Sequence, residues 1–391
     1  MIVINKPVLQ TEGDFVIISS EISIGHKIEI LWYKFPNRFE EYVVYERLDA
    51  FIVGLLFLGL KTGEDIYLKG PVSHRLFYTL NHYLIDVLCA ANTAYKKIKV
   101  FAENLDSSNL NLKNIAGTGL SCGVDSFATY YDHLKDEGNY KIEFFTFFDV
   151  GSHGVFEGKK AGEIYKDRLQ NSREFAKNEG KELISVESNL SKFLELPFQS
   201  TNTLRNISCV LHFQKLFSNY YFASSYPYKH FKLDPTDTTY YDIWNLHLLS
   251  TESTNFYSSL PGLSRIEKTA LISNYEGTFN FLDVCLTPDR NQNFKNCTKC
   301  EKCLRTCLTL ELLGKLENYH TVFDLKAYKG QKNRYIGQIL NTRKKNIFSE
   351  EIFQLLKEKR VLSQTHYFEK VKNSIDIRWR GFKKRIKQQL K

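Results

Sequence analysis

Two groups of residues in this chain have types and spacing that could do chemistry. The first is the run Gly119-Leu120-Ser121-Cys122-Gly123-Val124-Asp125-Ser126. The second is Cys285, followed by the closely spaced set Cys297, Cys300 and Cys303. The first group is typical of a loop that binds phosphate, and the second is typical of a metal site.

The glycine-bearing run is expected to connect a strand to a helix. Backbone N–H groups at the start of a helix, aided by the helix dipole, attract an anion. Ser121 and Ser126 add hydroxyl donors, and Gly123 lets the backbone approach a phosphate closely. Asp125 would hold Mg²⁺ or orient backbone donors. The alternative is an ordinary strand–helix turn.

The four cysteines predict a tetrahedral thiolate site with no open position, which is typical of structural zinc. Cys297, Cys300 and Cys303 are each separated by two residues, a spacing that iron–sulfur clusters also use, so such a cluster is an alternative. Unliganded thiols are a further alternative. Cys307 competes with Cys285 for the fourth position. We prefer Cys285 and expect Cys307 to pack in the core.

From Asn114 onward, apolar runs alternate between helical and strand patterns, which predicts a doubly wound parallel α/β sheet. The pattern predicts helices over 127–134 and 159–179, and strands over 142–148 and 182–187, with a further helix and strand within 207–223.

Residues 1–112 show their own strands and helices and predict a smaller accessory α/β domain, which could recruit a protein partner. The chain then divides into a domain over 113–325 that carries both motifs and a helical basic region over 326–391. In residues 1–112 we expect strands at 15–18, 28–32 and 98–101, and helices at 48–60 and 73–91.

The composition of the 391 residues is that of a globular protein, with 43% hydrophobic and 25% charged residues. The longest apolar run, Phe51 to Leu60, is too short to cross a bilayer and predicts a buried helix. Four of the eight cysteines have the spacing of metal ligands, which fits the reducing cytoplasm better than an extracellular disulfide framework. We therefore expect a cytoplasmic protein, and one without a membrane segment.

The net charge of +9 is concentrated near the C-terminus. The basic side chains there interleave with Trp379 and Phe382, a mixture suited to phosphate contact and base stacking. Nucleic-acid binding and a solvated terminal helix are the two interpretations. The cluster comprises Arg378, Arg380, Lys383, Lys384, Arg385, Lys387 and Lys391.

The run from Ser121 to Ser126 resembles the PP-loop of the ATP pyrophosphatase superfamily, whose pattern is Ser-Gly-Gly-x-Asp-Ser. That superfamily cleaves ATP between the α and β phosphates. Cys122 replaces the first glycine, and it can still offer its N–H if its φ is negative. A nucleophilic Cys122 at the helix start is the alternative to a tolerated replacement.

Within that superfamily, residues 114–315 resemble the 7-cyano-7-deazaguanine synthase family. The resemblance rests on the loop and on four later features in the family's order, namely Phe148-Asp149-Val150-Gly151, Arg205-Asn206-Ile207, Glu267-Lys268 and the four cysteines. The family adenylates a carboxylate on a deazapurine, which ammonia then converts to an amide and a second ATP to a nitrile.

The resemblance implies ATP, Mg²⁺ and Zn²⁺ as ligands and a deazapurine-like acid as substrate. Arg205 and Lys268 would contact phosphates or the substrate carboxylate, and the alternative for both is surface charge at helix ends. Asp125 is the third implied catalytic residue and would hold the pyrophosphate with Mg²⁺. The implied ATP-binding residues are Ser121, Cys122, Gly123, Val124, Asp125, Ser126 and Asp149, and the implied zinc ligands are Cys285, Cys297, Cys300 and Cys303.

Two departures point to a changed acceptor. The family's ordinary members lack a domain like residues 1–112 and a basic tail, and the stretch 224–262 is rebuilt. Extended relatives occur in antiphage operons, where the chemistry could act on a protein. Other hypotheses are a sugar amidotransferase or thiolation enzyme on the same scaffold, and a non-catalytic nucleotide-binding subunit. A homodimer is also considered.

Overall fold

The computed structural model describes residues 1–152, 159–285, 287 and 293–375, and only the backbone of residues 159–161. Contacts divide the chain into two compact units. The sheet unit comprises Met1–Ser121 and Asp125–Gly262, and the cysteine unit comprises Cys122–Val124 and Leu263–Lys391. This division differs from the expected boundaries at 112 and 325. The predicted basic cluster at 378–391 lies outside the described residues.

The sheet unit contains one mixed sheet of 11 strands, so the predicted α/β class is confirmed. The strands are β1 (Ile2–Ile4), β2 (Val8–Glu12), β3 (Phe15–Ile24), β4 (Lys27–Pro36), β5 (Ile66–Ser73), β6 (Val100–Asp106), β7 (Ile115–Gly119), β8 (Ile142–Asp149), β9 (Glu182–Ser188), β10 (Phe217–Ala223) and β11 (Asn255–Ser259).

The last five strands form a parallel block in the order β11-β10-β7-β8-β9. Counted from β7, this is the 3-2-1-4-5 order of a doubly wound sheet. In such sheets ligands bind beyond the carboxyl ends of the strands, where the strand order reverses. Here that reversal lies between β7 and β10, and the glycine-bearing loop follows β7 directly.

The strands of residues 1–112 do not form a separate small sheet, which corrects the prediction. Strand β4 pairs with β9 in antiparallel fashion, with Tyr33 opposite Ser188. Asn189 strengthens this junction because its Oδ1 accepts the N–H of Trp32 at 3.0 Å. One hydrophobic core also spans the junction, since it contains Leu31 and Ile184 together.

The helices of the sheet unit are α1 (Asp49–Thr62), α2 (His74–Thr79), α3 (Ile85–Ala91), α4 (Val124–Asp132, whose first residue belongs to the cysteine unit), α5 (Lys159–Asn178), α6 (Leu190–Leu194), α7 (Asn202–Val210) and α8 (Asp242–Leu248). A π-helical turn, Leu80–Leu84, joins α2 to α3. The cysteine unit contains α9 (Arg265–Ile272), α10 (Glu301–Leu312), α11 (Leu325–Thr342), α12 (Ile347–Glu358) and helical residues 364–375.

Helices cover both faces of the parallel block because alternate side chains of a strand point to opposite faces. On one face, Phe145 of β8 packs against Tyr130 of α4 and Phe175 of α5, with ring centroids 4.9 and 6.2 Å away. On the other face, Phe148 joins the core that contains α1 and α7. Helix α1 is buried as predicted, and among the described residues no helix is long and apolar enough to span a bilayer.

Asp49, the first residue of α1, is a buried carboxylate and gives the sheet unit a pH-dependent stability. Its two oxygens accept the N–H of Ser73 at 2.8 Å and Nε2 of Gln214 at 2.9 Å. Burial nevertheless raises its pKa from 3.8 to about 6, because these bonds and nearby Arg47 only partly offset desolvation.

We expect the free energy of unfolding to fall as the pH rises from about 4 to about 6. The reason is that Asp49 stays protonated to a higher pH in the folded state than in the unfolded chain. The loss from this group is roughly 3 kcal/mol. Asp49→Asn should reduce that slope by the contribution of this group in urea unfolding curves recorded across this range, leaving the contribution of Asp149, whose pKa is also raised to about 6. The exposed Asp14→Asn serves as the control and should keep it. An unchanged slope in Asp49→Asn would contradict the assignment.

Candidate functional site

The glycine-bearing loop is positioned by strand β7 and helix α4. Strand β7 lies between β8 and β10, and just beyond its end the N–H of Leu120 donates to the carbonyl of Thr146 at 2.9 Å. The hydroxyl of Ser172 donates to the carbonyl of Leu120 at 3.0 Å. Helix α4 begins at Val124, so the segment between Leu120 and Val124 makes the predicted strand-to-helix turn.

Two serines and an aspartate of the loop lie close to the start of α4. Ser121 is exposed, and its hydroxyl lies 3.3 Å from the hydroxyl of buried Ser126. Asp125 is in the first turn of α4, where the helix dipole favours a negative charge. The turn thus presents hydroxyls and a carboxylate beside the positive end of a helix.

Cys122 adopts a backbone conformation that the sequence did not reveal. Its φ is 55°, in the left-handed region that glycine enters without cost. The negative φ that was the condition for Cys122 to offer its N–H is therefore not met. Its side chain is fully buried, which argues against a nucleophilic role. The glycine of the PP-loop pattern fits this position because any Cβ here costs about 1 kcal/mol.

Asp149 ends β8, the strand next to β7, as predicted. It is half-buried, and burial together with Glu187, its pairing partner on β9, raises its pKa to about 6. The N–H of Gly151 opposes this shift. A carboxyl at this edge of the sheet is available to a cation or to a hydroxyl donor of a ligand.

Arg205 of α7 is 2% exposed, so it is not the surface charge considered as an alternative. Its guanidinium donates to two backbone carbonyls, those of Val150 at 3.0 Å and Leu196 at 2.8 Å. It also donates to the hydroxyls of Ser191 at 3.0 Å and Thr201 at 2.7 Å. These bonds hold the segment after β8 in place, which identifies Arg205 as a positioning residue.

We expect Arg205→Met to lower the free energy of unfolding by about 3 kcal/mol, because it leaves the buried carbonyl of Val150 and the part-buried carbonyl of Leu196 without this donor. Arg205→Lys, which keeps the charge but loses the planar fork, should recover only part of this loss. Urea unfolding measures both. If Arg205→Lys were fully stable but bound ATP more than tenfold more weakly, direct phosphate contact would replace positioning as the explanation.

Lys268 lies on α9 of the cysteine unit and is 2% exposed, so its alternative reading as surface charge is also wrong. The start of α9 is fixed by a capping box, in which Ser264 and Glu267 exchange hydrogen bonds with each other's backbone. The role of Lys268 toward phosphate stays a prediction.

The four predicted cysteines come together in the cysteine unit. The sulfur atoms of Cys285, Cys297, Cys300 and Cys303 all lie within 4.8 Å of one another. Three of the pairs are 3.3, 3.8 and 4.0 Å apart. A tetrahedral zinc with Zn–S bonds of about 2.3 Å separates its sulfurs by about 3.8 Å. The donor set and its spacing therefore fit a metal such as zinc.

Local backbone structure prepares these sulfurs to be thiolates. Cys300 is the N-cap of α10 and Cys303 lies in its first turn, where the helix dipole favours negative charge. The N–H groups of Lys299 and Cys300 approach the sulfur of Cys297 at 3.5 and 3.3 Å. Cys307, on the same helix, is fully buried and outside the cluster, as expected.

Asn296 supports the four-cysteine cluster, a role that was not predicted from the sequence. It is fully buried, and its Nδ2 donates to the carbonyls of Leu282 at 2.8 Å and Val322 at 3.1 Å. Its Oδ1 accepts the N–H of Val284 at 2.9 Å. One amide thus ties the segment carrying Cys285 to the turn carrying the other three thiols. Its position just before Cys297 was the available signal.

Asp283 links the loop to the four-cysteine cluster within the cysteine unit. Its N–H donates to the carbonyl of Cys122 at 2.8 Å, and its Oδ1 accepts the N–H of Cys285 at 3.3 Å. The side chain is 3% exposed. The backbone of Cys122 is therefore held by the segment that supplies the first thiol.

A further polar cluster in the sheet unit, formed by His133, Asp136 and Ser259, was not predicted from the sequence. His133 lies 2.6 Å from a carboxylate oxygen of Asp136 and 3.3 Å from the hydroxyl of Ser259, and its ring stacks on Tyr221. The sequence of contacts from Ser259 to His133 to Asp136 resembles the nucleophile–base–acid relay of a hydrolase. The hydroxyl of Ser259 is buried, however, so the cluster serves to join β11 to the end of α4.

Comparison with known proteins gives no match to a protein-family model, to a curated protein or to a solved structure.

Proposed function

We propose that this chain is an ATP-dependent, AMP-forming ligase of the 7-cyano-7-deazaguanine synthase type. The observation that carries the proposal is the place of the Ser121–Ser126 loop. It leaves the first strand of a parallel block ordered 3-2-1-4-5, at the point where strand order reverses, and enters a helix. Nucleotide phosphates bind at this point in doubly wound sheets.

In the proposed reaction, an acceptor carboxylate oxygen attacks the α phosphate of ATP. The bond from that phosphorus to the bridging oxygen breaks, and pyrophosphate leaves. Ammonia or an amine then attacks the acyl carbon, AMP leaves, and the nitrogen loses a proton to give an amide. Ser121, Ser126 and the backbone at the start of α4 would bind the phosphates, an electrostatic and positioning task.

Asp125 and Asp149 are the carboxylates proposed to hold Mg²⁺ beside the phosphates, since Mg²⁺ prefers carboxylate and phosphate oxygens. Zinc on the four cysteines would be structural, because all four positions are protein thiolates and none remains for substrate. Arg205 would act indirectly, by fixing the segment after β8.

The test measures the nucleotide products. Purified protein is incubated with ATP, Mg²⁺, ammonium and 7-carboxy-7-deazaguanine, and in parallel with acidic peptides and candidate partner proteins. AMP and pyrophosphate that appear only with an acceptor support the proposal. ADP and phosphate as products would contradict it.

A second candidate is a nucleotide-binding subunit without turnover, and the left-handed Cys122 is the observation that favours it. A loop distorted from the glycine pattern can keep phosphate affinity while losing the alignment that catalysis needs. ATP binding by calorimetry, with no AMP formed by either wild type or Cys122→Gly, would favour this candidate. Sulfur transfer through Cys122 is disfavoured by the burial of its thiol.

A further inference from the structure

Charge is divided unequally between the two units. From Leu263 to the end, 27 Lys and Arg stand against 13 Asp and Glu, a net charge of +14. Of the chain's totals of 53 and 44, this leaves 26 basic and 31 acidic residues, a net charge of −5, for the sheet unit, since Cys122–Val124 carry no charge. A polyanion is therefore attracted to the cysteine unit and repelled by the sheet unit.

The cysteine unit contains a groove of about 520 Å³ bounded by α10, α11 and α12. Its apolar floor is Leu304, Tyr335 and Ile339, all buried. Polar side chains of α11 line one wall at intervals of three or four residues, which places them on one helix face. From Gln331 to Thr342 that wall is about 16 Å long.

Three cations of the groove are available to an external anion. Lys299, Arg334 and Lys345 are exposed and make no ion pair with a carboxylate of the described residues. By contrast, the Nζ of Lys332, also on α11, is 2.9 Å from Glu311. Glu301 is the acidic residue of the lining, so the groove keeps an excess of positive charge.

We propose that this groove binds single-stranded nucleic acid. Lys299, Arg334 and Lys345 contact successive phosphates, and an unstacked base lies against the apolar floor. Among the amide side chains of the lining, those of Gln331 and Gln338 on α11 can hydrogen-bond to base edges. The amides of Asn341, Asn346 and Asn373 are engaged in hydrogen bonds within the protein.

The shape and charge favour this occupant over others. A wall of about 16 Å is longer than one nucleotide needs, which favours a strand over a free nucleotide. A duplex keeps its bases stacked, so it cannot fill an apolar floor with a base.

The test uses the full chain with fluorescently labelled 20-nucleotide RNA and DNA strands, the matching duplexes, and free AMP as competitor. We expect single strands to bind with a log affinity that falls with log salt at a slope of about −2, from three phosphate contacts. Arg334→Glu with Lys345→Glu should weaken single-strand binding at least 30-fold and reduce the slope by about 1.4.

The matched control is Lys357→Glu with Lys359→Glu, which makes the same charge change at the exposed end of α12, outside the groove. It should weaken binding less than threefold. Both double variants should melt within a few degrees of wild type. Equal losses of single-strand affinity in the two double variants would overturn the proposal, as would tighter binding of a duplex or of AMP. A loss of affinity seen only in Lys383→Glu with Lys384→Glu, in the tail, would also overturn it.

Discussion

We expect Cys303→Ser to abolish metal binding and to unfold the cysteine unit. Cys303 is fully buried in the first turn of α10, with its sulfur 3.3 Å from that of Cys300 and 3.8 Å from that of Cys297. A structural zinc contributes about 10 kcal/mol or more of apparent binding free energy. That exceeds or equals the stability of many domains, so the unit should not survive the loss.

Metal content by atomic emission and thermal unfolding check this prediction. Wild type should carry one zinc per chain and Cys303→Ser none. Cys307→Ala is the matched control, because Cys307 is buried on the same helix but outside the cluster. It should keep one zinc and lose about 1 kcal/mol. A full equivalent of zinc in Cys303→Ser would refute the four-thiolate site. Iron with visible absorbance in the wild type would show that the cysteines hold an iron–sulfur cluster instead of zinc.

The second large effect is expected at the loop, where Asp125→Asn should lower the rate of AMP formation about 100-fold. The substitution keeps the shape of the side chain but removes the charge that is proposed to hold Mg²⁺. Rates at saturating ATP and varied Mg²⁺ give the measurement. We expect kcat to be lower in Asp125→Asn even with excess Mg²⁺. The Mg²⁺ concentration that gives half of the maximal rate should also be higher.

Two variants bracket this result. Asp132→Asn removes a carboxylate from the other end of α4 and should leave the rate unchanged. Cys122→Gly should retain or raise the rate, because glycine accepts the φ of 55° without cost. Should Asp125→Asn turn over ATP like wild type, the loop would not be the ATP site.

The sequence allowed the local parts of this structure to be predicted. Strand β8 and helix α5 follow from their apolar spacing, and the four-cysteine cluster follows from short-range spacing of the thiols. These features depend on neighbours in the chain, which the sequence displays directly.

Long-range features could not be predicted in the same way. The pairing of β4 with β9 depends on two strand edges more than 150 residues apart, and no local pattern records it. Strand β11 was missed because its tyrosine and serines also suit a loop. The burial of Arg205 against carbonyls likewise depends on where segment 191–196 lies. The φ of Cys122 contradicts residue preference and became visible only in the folded backbone.

The hydrogen bond from Asp283 to Cys122 has a consequence for synthesis of the chain. A ribosome adds about 5–20 residues per second, so Cys122 emerges roughly ten to thirty seconds before Asp283 does. During that interval the strands around β7 can pair, but the loop lacks one of its tethers. A nascent chain therefore completes its glycine-bearing turn late, only after Asp283 has emerged.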